Sequence, residues 1–182
     1  MKRSEQDIRF QWDLTKIYQD TAAWEAAMQE AEAALAPLAA IPGTLGTSKE
    51  AFKHGLDTVY ASMLKVELPY IYAFLKKTED GSVAENQEMA ARSESLLVKF
   101  SAAAAFLNPE ILAIPAEKLD EWMQDEALAT YRHTVDDIVR MRAHTLDAAR
   151  EQMLALLGES GSGKSLTALA LMGLLPRPAG VL

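Results

Sequence analysis

The 182-residue sequence contains no cysteine. That excludes a disulfide scaffold, a thiolate zinc site and a cysteine nucleophile, and it fits a reducing cytoplasm, the expected location. Basic runs are missing too. Eighteen Lys and Arg stand against 26 Asp and Glu, a net charge of −8, and such an acidic chain repels phosphate backbones, so no nucleic-acid partner is expected. Long apolar runs are absent: the longest, Leu166 to Leu175, has ten residues, against the roughly 20 that a membrane helix needs. No membrane span is expected, and the polar start Met1-Lys2-Arg3-Ser4-Glu5 predicts no signal peptide. Sustained period-two alternation is lacking, which argues against a sheet. No His-Glu-x-x-His occurs, so no zincin-type metal site is written in these residues.

What is present is 49% hydrophobic and 24% charged, the balance of a globular protein. It is unevenly distributed. Four of the nine glycines fall in the first 157 residues and five in the last 25, whereas every Trp and Tyr lies in the first part. Two unlike pieces are therefore expected, 1–157 and 158–182.

The first piece reads as helices. Trp24, Met28, Ala31 and Leu35 form one stripe, with Asp20 or Thr21 as cap and Pro37 as stop, and Ile41-Pro42-Gly43 follows as a loop. Thr47-x-x-Glu50 and Ser82-x-x-Glu85 are capping-box patterns, predicting helix starts. Phe52, Leu56, Val59, Met63 and Val66 should face a core, and Pro69 should kink or break their helix. The patch Tyr70, Tyr72, Phe74 is expected to be core, and Asp80-Gly81 a turn. Met89, Leu96, Phe100 and Ala104 continue the pattern to a stop at Asn108-Pro109. Pro115 suits the first turn of a helix with Leu119 and Trp122. Leu128, Tyr131, Val135, Ile138 and Arg142 extend it, and Thr145 can cap one more helix. The predicted fold is all-α, a bundle of antiparallel helices with a Gly-rich C-terminal tail.

Candidate metal ligands are few. His133 with Asp137 and His144 with Glu151 have spacings that put each pair on one helix face; both are read as solvated or hydrogen-bonded, and His54 has no partner at ligand spacing. No catalytic or metal site is assigned. Glu25, Glu30 and Glu32 are read as a solvent face.

Several ordered blocks carry a resemblance. They are Arg9-Phe-Gln-Trp-Asp-Leu-Thr-Lys-Ile-Tyr18 with Trp24, Leu68-Pro-Tyr-Ile-Tyr-Ala-Phe-Leu75 with Asp80, Phe106-Leu-Asn-Pro-Glu-Ile-Leu112 with Ile114-Pro115, and Tyr131-Arg132 with Arg140-x-Arg-x-His144-x-Leu146 and Glu151. Together, residues 1–157 resemble the N-terminal domain of the oligoendopeptidase F family of zinc metallopeptidases. The resemblance implies a helical domain that covers a cleft and restricts access to short oligopeptides. It also implies that the zinc ligands lie on a downstream catalytic domain, outside these residues. Expected partners are oligopeptides and a separately encoded peptidase domain; the rival reading is a helical interaction module for such a domain.

The last 25 residues hold one sharp motif. Gly158-Glu-Ser-Gly161-Ser162-Gly163-Lys164-Ser165 matches the Walker A pattern. Its glycines let backbone N–H groups cradle phosphates, Lys164 would reach the β- and γ-phosphates, and Ser165 would ligate Mg²⁺. Gly158 to Gly180 resembles the ATPase subunits of peptide-importing ABC transporters, which gives the alternative function, ATP binding with Mg²⁺. A P-loop needs a parallel sheet under it, and the preceding residues predict none. The expectation is therefore no bound cofactor, and a fusion of two gene pieces near Leu154–Glu159.

Overall fold

The computed structural model describes Asp7 and residues 12–142. Among them are six α-helices and no β-strand: α1 (Thr21–Ala33), α2 (Lys49–Glu79), α3 (Ala84–Ala104), α4 (Leu107–Ala113), α5 (Ala116–Met123) and α6 (Arg132–Arg140). Short 3-10 turns at Leu14–Lys16, Ala36–Ala40 and Glu126–Tyr131 join or flank them. The predicted all-helical class stands, and the Gly-rich tail and the Thr145 cap lie outside the described residues.

α1, α2 and α3 form the body. Asp20 caps α1 by accepting from the Ala23 N–H at 2.8 Å, which satisfies one of the orphan donors of a helix start. Trp24, Met28 and Ala31 are buried as one stripe. α2 runs back along α1: the Trp24 indole donates to the Pro69 carbonyl at 2.9 Å near one end, and the Ser62 hydroxyl donates to the Ala34 carbonyl at 2.9 Å near the other. A turn at Asp80–Val83, where the Asp80 carboxylate accepts from the backbone and hydroxyl of Ser82, then reverses the chain into α3. α3 lies parallel to α1. Arg92 grips Glu25 through two bonds of 2.5 and 2.7 Å, and Lys99 reaches Glu32 at 3.2 Å. Both steps are seven residues, so one side of each helix repeats its partner every two turns.

Several expectations are corrected. Pro69 does not break its helix: α2 runs unbroken from Lys49 to Glu79. An interior proline costs about 3 kcal/mol, but Pro69 and Trp24 are both fully buried, and that packing offsets the lost backbone bond. Neither capping box forms. Thr47 donates its hydroxyl to the Thr44 carbonyl, and Ser48 caps α2 instead, accepting from Ala51 N–H at 3.1 Å. Ser82 is held by Asp80, and α3 starts after Val83, which makes no side-chain cap. Asn108-Pro109 does not stop α3, which ends at Ala104; Pro109 instead sits in the first turn of α4, where its missing N–H costs little. On α2, Ser62 is buried and Met63 exposed, the reverse of the core assignment, because Ser62 satisfies the end of α1. Tyr72 is core as expected, whereas Phe74 faces solvent. Glu25 and Glu32 pair with α3 rather than forming a bare solvent face.

Two details fix the loop between α1 and α2. Gly43 has φ +81°, a left-handed conformation that glycine adopts freely. Gly55 on α2 lets the loop close: a Cβ there would collide with Leu45 Cδ2 and lie 3.2 Å from Ile41 Cγ2. By length and composition the stretch Ala84–Ala113 reaches a mean hydropathy of 1.4, the range of a membrane span. Met89, Leu96, Phe100 and Phe106 of this stretch are buried in the bundle core, while 28% of its most apolar window is buried in all.

Candidate functional site

α4, α5 and α6 pack at the N-terminal end of α2, and the polar groups gather there. Glu110 on α4 accepts from the backbone N–H of Gly43 at 2.5 Å, and Lys118 on α5 donates to the Gly46 carbonyl at 2.8 Å. Both tie the α1–α2 loop to the small helices. Lys49 at the start of α2 pairs with Asp125, whose carboxylate also caps the following turn by accepting from Ala127 N–H at 2.9 Å. The Lys49 ammonium holds the Asp125 carboxyl below its ordinary range. Phe52 meets Trp122 with ring centroids 5.6 Å apart.

The most connected cluster is centred on Asp57. Tyr131 donates its hydroxyl to Asp57 at 2.6 Å, Lys53 donates to the same carboxylate at 2.6 Å, and Tyr60 stacks on Tyr131 at 5.5 Å. Burial pushes Asp57 up, but the two hydrogen bonds outweigh it, and the carboxyl is held below its ordinary value. Burial and the bond to Asp57 push the Tyr131 phenol up to about 12. A phenol at that value is a hydrogen-bond donor throughout the physiological range, not a base. The cluster ties the Glu126–Tyr131 turn to α2, and neither the Asp57 carboxyl nor the Tyr131 phenol is poised to take or give a proton near neutrality.

A polar cleft of about 490 Å³ between α5 and α6 is lined by Asp120, Met123, Gln124, Arg132 and Asp136. Arg132 is occupied there: it donates to the carbonyls of Met123, Gln124 and Asp125 at 3.0, 3.4 and 3.5 Å, closing the end of α5. His133 and Asp137 do approach, at 3.6 Å, but the imidazole is 89% exposed and the carboxylate also binds Arg140 at 2.7 Å. Among the described residues no three His, Asp or Glu are grouped to hold a metal. Catalytic zinc takes three protein ligands, and the described residues do not supply them. The Walker residues Gly158, Gly161, Ser162, Gly163, Lys164 and Ser165, like the His144–Glu151 pair, lie outside the described residues.

The described part is thus a helical domain whose polar clusters bind its own segments together. Comparison with known proteins shows what it is similar to. The chain resembles the N-terminal domain of the oligoendopeptidase F peptidases: residues 110–167 match the family model described as Oligopeptidase F. It is 31% identical over 159 residues to "Oligoendopeptidase F, plasmid" of Lactococcus lactis subsp. cremoris, an alignment covering 86% of this chain and 26% of that protein. It is 27% identical over 158 residues to Oligopeptidase PepF of Bacillus subtilis, covering 86% and 24%. The crystal structure of oligoendopeptidase F from Enterococcus faecium superposes with a TM-score of 0.74 at 29% identity, covering 82% of this chain and 30% of that one. The chain therefore spans about a quarter of the length of the curated relatives it matches.

Proposed function

We propose that residues 1–157 act as the N-terminal, cleft-covering domain of an oligoendopeptidase F-type zinc peptidase, restricting its substrates to short oligopeptides. The observation that supports this is the 86% coverage by relatives named oligoendopeptidase F, joined to the fold match with the Enterococcus faecium enzyme. The zinc chemistry, polarisation of the scissile carbonyl and activation of water, belongs to a peptidase body carried on the same longer chain or encoded separately. The helical domain supplies shape and exclusion. The absence of cysteine supports a cytoplasmic setting.

The test is substrate length. A chimera of the intact Enterococcus faecium enzyme, with its matched region replaced by this chain's residues 12–142, should cleave a fluorogenic heptapeptide and discriminate at least tenfold against a 30-residue peptide. Equal cleavage of both would contradict the covering role. For the tail, nucleotide binding by Gly158, Gly161, Ser162, Gly163, Lys164 and Ser165 is the alternative, supported by the motif alone. Ordering such a loop costs roughly 1–2 kcal/mol per residue in backbone entropy. Titration of the full chain with ATP and Mg²⁺ should show no saturable binding; a micromolar dissociation constant abolished by Lys164→Ala would assign the tail to nucleotide.

A further inference from the structure

The second half of α2 carries a set of large apolar side chains that the described bundle leaves exposed. Leu64 and Leu68 stand one turn apart with Met63 and Phe74 exposed beside them, Tyr70 and Ile71 are half-buried, and Leu75 packs against the core. Leu64 is 58% exposed, Phe74 51% and Leu68 41%. Between Met63 and Leu75 the charged residues are Lys65 and Glu67. Leu68 also forms one wall of a groove of about 300 Å³ between α1 and α2, which contains Ala23, Ala26 and Ala27, with Glu30 and Lys65 beside them. Small side chains lining a groove next to a leucine ridge are the shape that receives the ridge of another helix. An apolar face spanning three turns, on a chain of net charge −8, is a contact surface rather than a solvent surface.

The geometry points to this face and groove as the surface on which the peptidase body docks, through an apolar helix of that body laid against Leu64, Leu68 and Phe74. The inference rests on the function proposed above. The choice of occupant follows from length. The matched domain is 30% of the Enterococcus faecium chain, so the greater part of such a chain is joined to a domain of this fold and has to bury some part of it. Among the described residues the other exposed large apolar side chains are scattered singly at Trp12, Val83, Val139 and Met141. Only α2 offers a contiguous face.

One pair of substitutions in two settings tests it. In the full 182-residue chain, Leu64→Glu with Leu68→Glu should shift the thermal midpoint by no more than about 3 °C, because both side chains already meet water. In the chimera with the intact Enterococcus faecium enzyme, the same pair should lower heptapeptide cleavage at least tenfold and split a single unfolding transition into two. Phe74→Ser is the second variant, for use if the double change unfolds the free chain. An active chimera indifferent to both variants overturns the docking face while leaving the covering function standing. A parent chimera that folds but cleaves nothing counts against the covering function itself. A dimer of the free chain, dissolved by the same pair, would assign the face to a second copy and overturn the proposal.

Discussion

The two halves of α2 belong to one unbroken helix and have opposite surroundings. From Lys49 to Tyr60 it is enclosed: Phe52, Leu56 and Val59 are buried, Lys49 and Asp57 are tied to the Glu126–Tyr131 turn and its cap, and Gly55 lets the preceding loop pack directly on the helix. From Met63 to Phe74 only the side carrying Val66, Pro69, Tyr72 and Ala73 is covered, by α1 and α3. The outer side leaves Leu64, Leu68 and Phe74 exposed beside the charged Lys65 and Glu67. Large apolar side chains grouped on one face of a helix are ordinarily covered. The first half has its enclosure within this chain, and the second half carries the composition for an enclosure without the neighbour.

The largest effect expected from breaking this arrangement is at the joint between the halves and α1. Trp24→Ala removes a fully buried indole, its bond to Pro69, and the ring under Arg92, whose guanidinium lies 5.1 Å from the ring centroid. Urea unfolding should show a loss of about 3–5 kcal/mol, and because Trp24 holds the helix at its proline, helicity around Pro69 should fall with it. Next, Leu56→Ala should cost about 2–5 kcal/mol, since Leu56 is fully buried, whereas Leu64→Ala on the open half should stay within about 0.5 kcal/mol in the free chain. Comparable losses at the two leucines, measured by the same unfolding titration, would erase the distinction between the halves.

A smaller effect sits on the Asp57 cluster. Tyr131→Phe should cost about 1 kcal/mol, one hydrogen bond to a partly exposed carboxylate. Its pH dependence has a definite sign. Asp57 is depressed in the folded state, so its contribution is present above the ordinary carboxylate range and is lost as pH falls through that range. Tyr131 is raised to about 12, so its contribution is complete below about pH 10 and is lost as pH rises towards 12. Between those limits the stability difference between the unaltered protein and the Tyr131→Phe variant should be flat. Unfolding curves taken at intervals from about pH 3 to 9 would check this.

How much of this was legible in the sequence follows the same division. Where one helix face alone is apolar, the pattern names the core: Trp24, Met28 and Ala31 are buried as spaced, and Asp20 is the cap. Where α2 carries large apolar residues on more than one side, periodicity has no single preferred face, and the pattern places Met63 and Phe74 in the core that Ser62 and Ala73 occupy. Pro69 misleads because the intrinsic cost of proline is visible in a sequence while the burial that offsets it is not. The capping boxes mislead because Thr44 and Asp80 compete for the capping hydroxyls from positions the four-residue pattern does not include. The polar cluster of Asp57, Tyr131 and Lys53 joins residues 74 positions apart, and only the Lys53–Asp57 step of four carried a local signal. The family blocks pointed to the right relatives, while the sharpest motif, at Gly158–Ser165, falls outside the described residues.

In the proposed covering role, peptide chemistry belongs to the peptidase body and not to residues 1–157. The most direct measurement is fluorogenic heptapeptide cleavage by the purified 182-residue chain with added zinc, before and after a chelator. The covering role predicts no chelator-sensitive cleavage, and the described residues offer no three-ligand metal cluster. Zinc-dependent turnover abolished by the chelator would contradict it.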